Sequence, residues 1–362
     1  MSGYPAVWVQ VEFTRSGPQT CPGFVEQADG DVVYVQLVHM EFAADCAPAA
    51  RLISCACVTH DSDRLTPAWS PVTLGEVSVQ GGTVLTVTGP WSSEDSATLR
   101  RSGSTVLWLN YAHGFSEPTL RLIEDLPATI TRLHITARWI TDLSPIAVLG
   151  DRLEALSVTT AREASLDLTQ LPVLTELAAD WAQVRATIGA AVRLVDVYLG
   201  HYREADLSKF APLELLGRLT LKDWPSIASL TGVEHLTSLK HLTVVLARNL
   251  SDLTALDSTV GRQLETLDLE SCRRIDDLGA IGRCTALTTL NLGDIGDVAS
   301  AAPLAALQHL HHLFLYESTR FQDGDLAPLL ELRHLKELRL MNRRQYKPSL
   351  ADIESQLGLV AR

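Results

Sequence analysis

Between residues 130 and 340, apolar residues recur in a fixed frame: one apolar position, two variable ones, an apolar one, one variable one and an apolar one. The frame opens at Ile130, Leu153, Leu174, Leu194, Leu216, Leu239, Leu264, Leu287, Leu310 and Leu335, so ten copies follow one another at a mean period of about 23 residues. The apolar-variable-apolar core of each copy has the period of a strand, whose successive side chains face opposite ways. A unit this short cannot bury its apolar face alone and must stack on its neighbours, sharing one continuous core. The pattern predicts strands side by side in a parallel sheet, with variable residues on one face and a return segment on the other.

The return segments carry their own signal. Ile140-Thr141-Asp142-Leu143-Ser144-Pro145-Ile146 recurs in weaker form at Asp167-Leu168, Asp206-Leu207, Asp252-Leu253, Asp277-Leu278 and Asp325-Leu326. An aspartate just before a short apolar turn can accept from the free N–H groups of a short helix or 3₁₀ turn, so these six are assigned to capping. Near the end of the chain, Ser349-Leu350-Ala351-Asp352 has the form of a capping box leading into Ile353 and Leu357, which predicts a short helix over the last repeat.

Together these features resemble the leucine-rich repeat, and within it the internalin-type class of roughly 22 residues, over about residues 104–345. The resemblance implies an α/β solenoid: a leucine-rich repeat horseshoe with a parallel concave sheet, short helical or 3₁₀ convex segments, and binding of a protein or ligand on the concave face. The chain departs from the class where its consensus places an asparagine. That position holds Arg138, Ala161, Ala182, Tyr202, Trp224, Ala247, Cys272, Ile295, Ser318 and Arg343, so backbone groups in the turn after each strand need other partners.

Residues 1–98 are different in kind. Short runs rich in β-branched residues, punctuated by Gly, Pro and Asp, predict strands at 6–13, 32–42, 52–58, 76–80 and 83–87. The last two flank Gly81-Gly82, a pair able to supply the positive φ of a primed hairpin turn. The stretch 91–104 reads as a connection, and Val106-Leu107-Trp108-Leu109 as an imperfect opening repeat. The organisation expected is a small mostly-β N-terminal capping domain (1–98), a solenoid of ten repeats plus an opening one (99–345), and a C-terminal capping helix (346–362).

Charge narrows the partners. The formal net charge is −13 over 362 residues, and no basic run is present to neutralise phosphates, which argues against nucleic acid or an anionic membrane and favours a protein with a basic patch. The chain starts without a basic segment leading into an apolar stretch, so no signal peptide is expected. No run approaches the length of a membrane span. Six cysteines without a regular framework suggest reduced thiols and a cytoplasmic location.

Reading the frame outward gives the candidate binding residues, because the third, fifth, seventh and eighth positions point away from the core. One patch, in repeats three to five, collects Glu176, Asp180, Trp181, Asp196, Tyr198, His201, Arg218, Lys222 and Asp223, with Tyr202 and Trp224 at the strand exits. Aromatic residues and arginine together are the usual anchors of interfaces. A second, acidic patch with an aromatic edge holds Asp268, Glu270, Asn291, Asp294, His312, Phe314, Tyr316 and Glu317, followed by Arg339. Adjacent carboxylates repel until something positive approaches, so this patch favours lysine or arginine on a partner.

Chemistry beyond binding has little support. Cys55 and Cys57 share one face of a strand with His60 nearby; a zinc site would need Cys21, Cys46 and His39 to converge on them, and buried strand cysteines are the simpler reading. Cys272 and Cys284 read as packing residues. No nucleophile-elbow, phosphate-loop or zinc-protease motif occurs, and of His309, His311 and His312 only the last is expected on the concave face. No catalytic residue, metal or cofactor is assigned. The leading expectation is a cytosolic binding scaffold for a protein or peptide, with an inhibitor or immunity-type protein as one form. The alternative is an enzyme or biosynthetic accessory protein with its chemistry in the N-terminal domain or on a peptide in the concave face.

Overall fold

The computed structural model describes residues 74–79 and 82–359, all within a unit spanning residues 69–362. The strands expected at 6–13, 32–42 and 52–58, and with them Cys55, Cys57 and His60, lie outside the described residues.

The ten frames form ten strands: β4 (Arg132–Thr136), β5 (Ala155–Thr159), β6 (Glu176–Asp180), β7 (Asp196–Gly200), β8 (Arg218–Lys222), β9 (His241–Val244), β10 (Thr266–Asp268), β11 (Thr289–Asn291), β12 (His312–Leu315) and β13 (Glu337–Leu340). They extend one sheet that starts with β1 (Leu74–Val79), β2 (Gly82–Val87) and β3 (Val106–Asn110), thirteen strands in sequence order. The first pair is antiparallel and the later pairings are parallel. All ten frame-opening residues, from Ile130 to Leu335, are buried. Each side chain so buried contributes roughly 1.5–3 kcal/mol. The architecture is thus a leucine-rich repeat solenoid with a parallel concave sheet and short convex turns.

The six convex aspartates cap as their positions imply. The Oδ1 atoms of Asp142, Asp167, Asp206, Asp252, Asp277 and Asp325 accept the backbone N–H two residues on, at 2.9–3.0 Å. Hydrogen bonds from the hydroxyls of Ser144, Thr169 and Thr254, with these backbone bonds added, favour the ionised form and hold the Asp142, Asp167 and Asp252 carboxyls below the usual range. Where the repeat lacks an aspartate, Ser300 Oγ accepts from the Ala302 N–H in the same way, at 3.0 Å. The closing helix runs over Leu350–Leu357, with Ser349 and Asp352 forming its capping box and Ile353 buried beneath it.

Two local expectations are corrected. Val79 pairs with Gly82, so the hairpin closes one residue earlier than a Gly81-Gly82 loop would require, and Gly82 belongs to the strand. The stretch 91–104 is not simply a connection. Residues Ser93–Ser102 form helix α1, started by a Ser92–Asp95 capping box, ended by Gly103 in the left-handed region (φ 65), and anchored by the fully buried Leu99.

The missing asparagines are replaced piecemeal. In repeats one to three the eighth residue turns inward, as Ala137, Thr160 and Trp181. In repeats four to nine that residue adopts a left-handed φ (His201 53, Asp223 59, Leu246 64, Ser271 58, Asp294 56, Glu317 60), and the chain rotates so that Tyr202, Ala247, Cys272 and Ile295 enter the core at the ninth position. Different side chains then satisfy the turn. Thr319 Oγ1 accepts from the Ile295 N–H (3.1 Å) and donates to the Leu292 carbonyl (2.6 Å). Gln183 Nε2 donates to the Ala161 carbonyl and to Thr160 Oγ1, the Cys272 thiol donates to the Val244 carbonyl at 3.3 Å, and the Tyr202 hydroxyl to the Asp206 carbonyl at 2.6 Å.

Candidate functional site

Register determines which concave side chains meet. Fifth-position residues line up as Trp108, His134, Ser157, Ala178, Tyr198, Thr220 and Thr243 along one half of the sheet. Asp268, Asn291, Phe314 and Arg339 continue the row.

The first patch is largely neutralised from within. Arg132 reaches past the small Ala155 to clasp Glu176 with two hydrogen bonds of 3.0 and 2.9 Å. Asp196 pairs with Arg218 at 3.2 Å. Asp180 lies 3.4 Å from Arg162 Nε and 2.9 Å from His201 Nδ1, and its other oxygen caps Ala182. The His201 contact is one of proximity, since Nδ1 makes no aligned hydrogen bond. Tyr198 donates its hydroxyl to Asp223, and burial together with that carboxylate pushes the phenol up to about 12. Lys222 stands at the end of β8, forming no ion pair among the described residues.

Trp181 does not belong to this surface. It is 1% exposed and packs edge-on against Tyr202 (4.6 Å between centroids) and near Phe210 (6.3 Å). The expectation of a concave Trp181 fails because the inward position shifts between the eighth and ninth residue of the repeat, and Tyr202, expected at a strand exit, turns inward. Both aromatics belong to the core.

The second patch differs in its charge balance. Asp268 and Glu270 project from neighbouring positions at the end of β10, and among the described residues neither forms an ion pair. Asp268 accepts from the Glu270 N–H at 3.2 Å and from Asn291. Burial, with the Glu270 charge added, raises the Asp268 carboxyl to about 6 despite the attraction of Lys222. Asn291, nearly enclosed, directs its amide to Glu270 (3.5 Å) and the Tyr316 hydroxyl (3.4 Å) while its oxygen accepts from the Gly293 N–H. Burial pushes the Tyr316 phenol up to about 12, so it stays a donor, to Glu270. On the far side, Phe314 stacks on His312 (6.4 Å) and carries the Arg339 guanidinium 5.3 Å above its ring. Glu337 holds Arg339 at 2.8 Å and stands 3.4 Å from His312. An acidic wall (Asp268, Glu270) thus faces an aromatic one (Phe314, Tyr316) across the short residues Asn291 and Gly293.

Asp294 and Glu317 stand apart from this wall. Both lie at left-handed strand exits, where Asp294 is occupied by Arg273 (2.7 Å), Ser271 (3.1 Å) and Ser318 (2.6 Å). Their assignment to the concave column is corrected by the same turn that takes Tyr202 inward. A further group was missed: Trp108 against His134 (5.6 Å), with Tyr111 and Trp139 exposed beside Phe115. Its aromatic residues fall before and within the first full repeat, outside the stretch where the frame made clusters visible.

Burial raises both described thiols, Cys272 and Cys284, to about 12, which keeps them protonated and unreactive. Among the described residues no three His, Cys, Asp or Glu side chains are disposed to hold a metal ion, and no helix is long and apolar enough to cross a membrane.

No protein-family model matches the chain, and no curated protein matches it by sequence. Among solved structures it is similar to an internalin, internalin F, of Listeria monocytogenes (19% identity, 69% of this chain, 76% of that one, TM-score 0.49). It is also similar to a leucine-rich repeat protein of Leptospira interrogans (21% identity, 70% of each chain, TM-score 0.49). Internalin C2 of Listeria monocytogenes is a third (19% identity, 68% of this chain, 84% of that one, TM-score 0.32).

Proposed function

We propose that the chain is a binding scaffold whose concave face, at repeats seven to nine, holds a protein or peptide through a basic side chain. The observation that supports this is the contrast between carboxylates on one sheet. Glu176, Asp196, Asp180 and Glu337 have arginine or histidine beside them, whereas among the described residues Asp268 and Glu270 form no ion pair. Two adjacent partly buried carboxylates without a counter-ion are unfavourable until a cation arrives, so the free energy of neutralising them is available to a partner. The rings of Phe314 and Tyr316 supply apolar area beside that charge, the combination that anchors an interface.

Isothermal titration with lysine- and arginine-containing peptides, against glutamine-substituted controls, tests the reading. Asp268→Asn with Glu270→Gln should weaken the basic peptides by about tenfold or more. Equal binding by the wild-type and doubly neutralised proteins would remove the acidic wall from the function.

A further inference from the structure

A second surface lies at the exit edge of the sheet and has the opposite charge. The ninth residue enters the core in repeats four, six, seven and eight, but in repeat five it is Trp224, 36% exposed. Its outward direction is built into the backbone: Asp223 and Trp224 both have left-handed φ, 59 and 60, and Pro225 after them is buried. A bulky residue in that region is strained by roughly 1–2 kcal/mol, so this repeat spends stability to present an indole to solvent.

Two arginines flank Trp224, one over its ring and the other at its backbone carbonyl. Arg248, one repeat on, places its guanidinium 4.0 Å from the ring centroid. Arg203, one repeat back, donates from one terminal nitrogen to the Trp224 carbonyl (3.0 Å) and to Ser226 Oγ (3.2 Å). Both arginines are exposed, and neither forms an ion pair among the described residues. The Asp223 carboxylate is turned away, toward Tyr198 and Gly200.

We infer that Arg203, Trp224 and Arg248 form a docking site for an acidic segment of a protein partner, separate from the concave site. A guanidinium fork takes a carboxylate with two parallel hydrogen bonds, and an aromatic face below it limits the freedom lost on binding. The arginines spring from strands two steps apart, about 10 Å, while carboxylates on one side of an extended chain recur about every 7 Å, within reach of two long side chains. A nucleic acid fits less well, because a protein of net charge −13 repels a long polyanion.

The test is fluorescence anisotropy with a labelled twelve-residue peptide containing four glutamates, beside its glutamine counterpart and a single-stranded oligonucleotide of equal length. The glutamate peptide should bind best. Trp224→Gly should weaken it about tenfold or more while leaving the protein at least as heat-stable, since glycine suits the left-handed φ. Arg203→Glu with Arg248→Glu should abolish binding. Equal binding of the glutamine peptide, tighter binding of the oligonucleotide, or an unchanged affinity in Trp224→Gly would each overturn the proposal.

Discussion

The ring of Tyr316 lies against the backbone of Gly293 so closely that a Cβ built on the glycine would stand 2.4 Å from Cζ. The seventh position of repeat eight is empty of side chain, and the tyrosine of repeat nine fills it, reaching Asn291 and Glu270 from there. Gly293→Ala should therefore displace the ring and uncouple the hydroxyl from both. Tyrosine fluorescence or ultraviolet difference spectra should report a more exposed phenol, with a loss of about 1–3 kcal/mol. An unshifted spectrum would show that the ring tolerates the methyl group.

Asp268 predicts an unusual pH dependence. Its folded-state value, raised to about 6 from 3.8, means that the folded protein keeps this proton where the unfolded chain has released it. The contribution of this group to stability therefore declines as pH rises from about 4 to about 6 and is constant above. Asp268→Asn should raise stability by about 1–2 kcal/mol at neutral pH, and give no gain at pH 4, in denaturant melts. A basic partner, which needs the ionised carboxylate, should bind less tightly below about pH 6.

Trp181→Ala should act on the fold. With the side chain packed against Tyr202 and Phe210, its removal leaves a cavity and should cost about 3–5 kcal/mol. Tyr198→Ala, on the concave face, should cost less, and thermal melts of the two variants compare them directly.

Thr319→Val tests the substitute for the missing asparagine. It keeps the shape but deprives the buried Ile295 N–H of its acceptor and the Leu292 carbonyl of its donor, a loss of about 1–3 kcal/mol. Hydrogen exchange at the Ile295 amide should accelerate more than at amides of the early repeats. Uniform acceleration along the sheet would point to global destabilisation instead.

The capping role of Asp252 is open to the same kind of check. It accepts from both the backbone and side chain of Thr254 and from Ser229 of the preceding repeat. Asp252→Ala should cost about 1 kcal/mol, a loss that shrinks as pH falls below 3.8, where the unfolded chain takes up the proton, and vanishes once the folded carboxyl, held lower, is protonated too. A melting temperature equal to wild type at neutral pH would contradict the assignment.

The strand cores, the six aspartate caps and the closing capping box were legible because each depends on residues close in sequence. The same cues missed helix α1, although Ser92 and Asp95 announce it, because a polar run hides its single anchor, Leu99. Trp181 and Trp224 show the limit more sharply. They occupy neighbouring positions in the repeat, yet one is sealed in the core and the other faces solvent. A shift of one residue in the turn decides between them, and nothing in the apolar frame encodes that shift.

By itself the sequence determined the stack, its register and which strand positions face outward, since period and hydrophobicity suffice to orient a strand. The tertiary structure decided which outward charges are already spent on one another. Whether Glu176 or Glu270 finds a cation depends on side chains one or two repeats away. Arg132 meets Glu176 across Ala155, and among the described residues no arginine pairs with Asp268. That is a matter of distance between strands, which only the folded sheet defines.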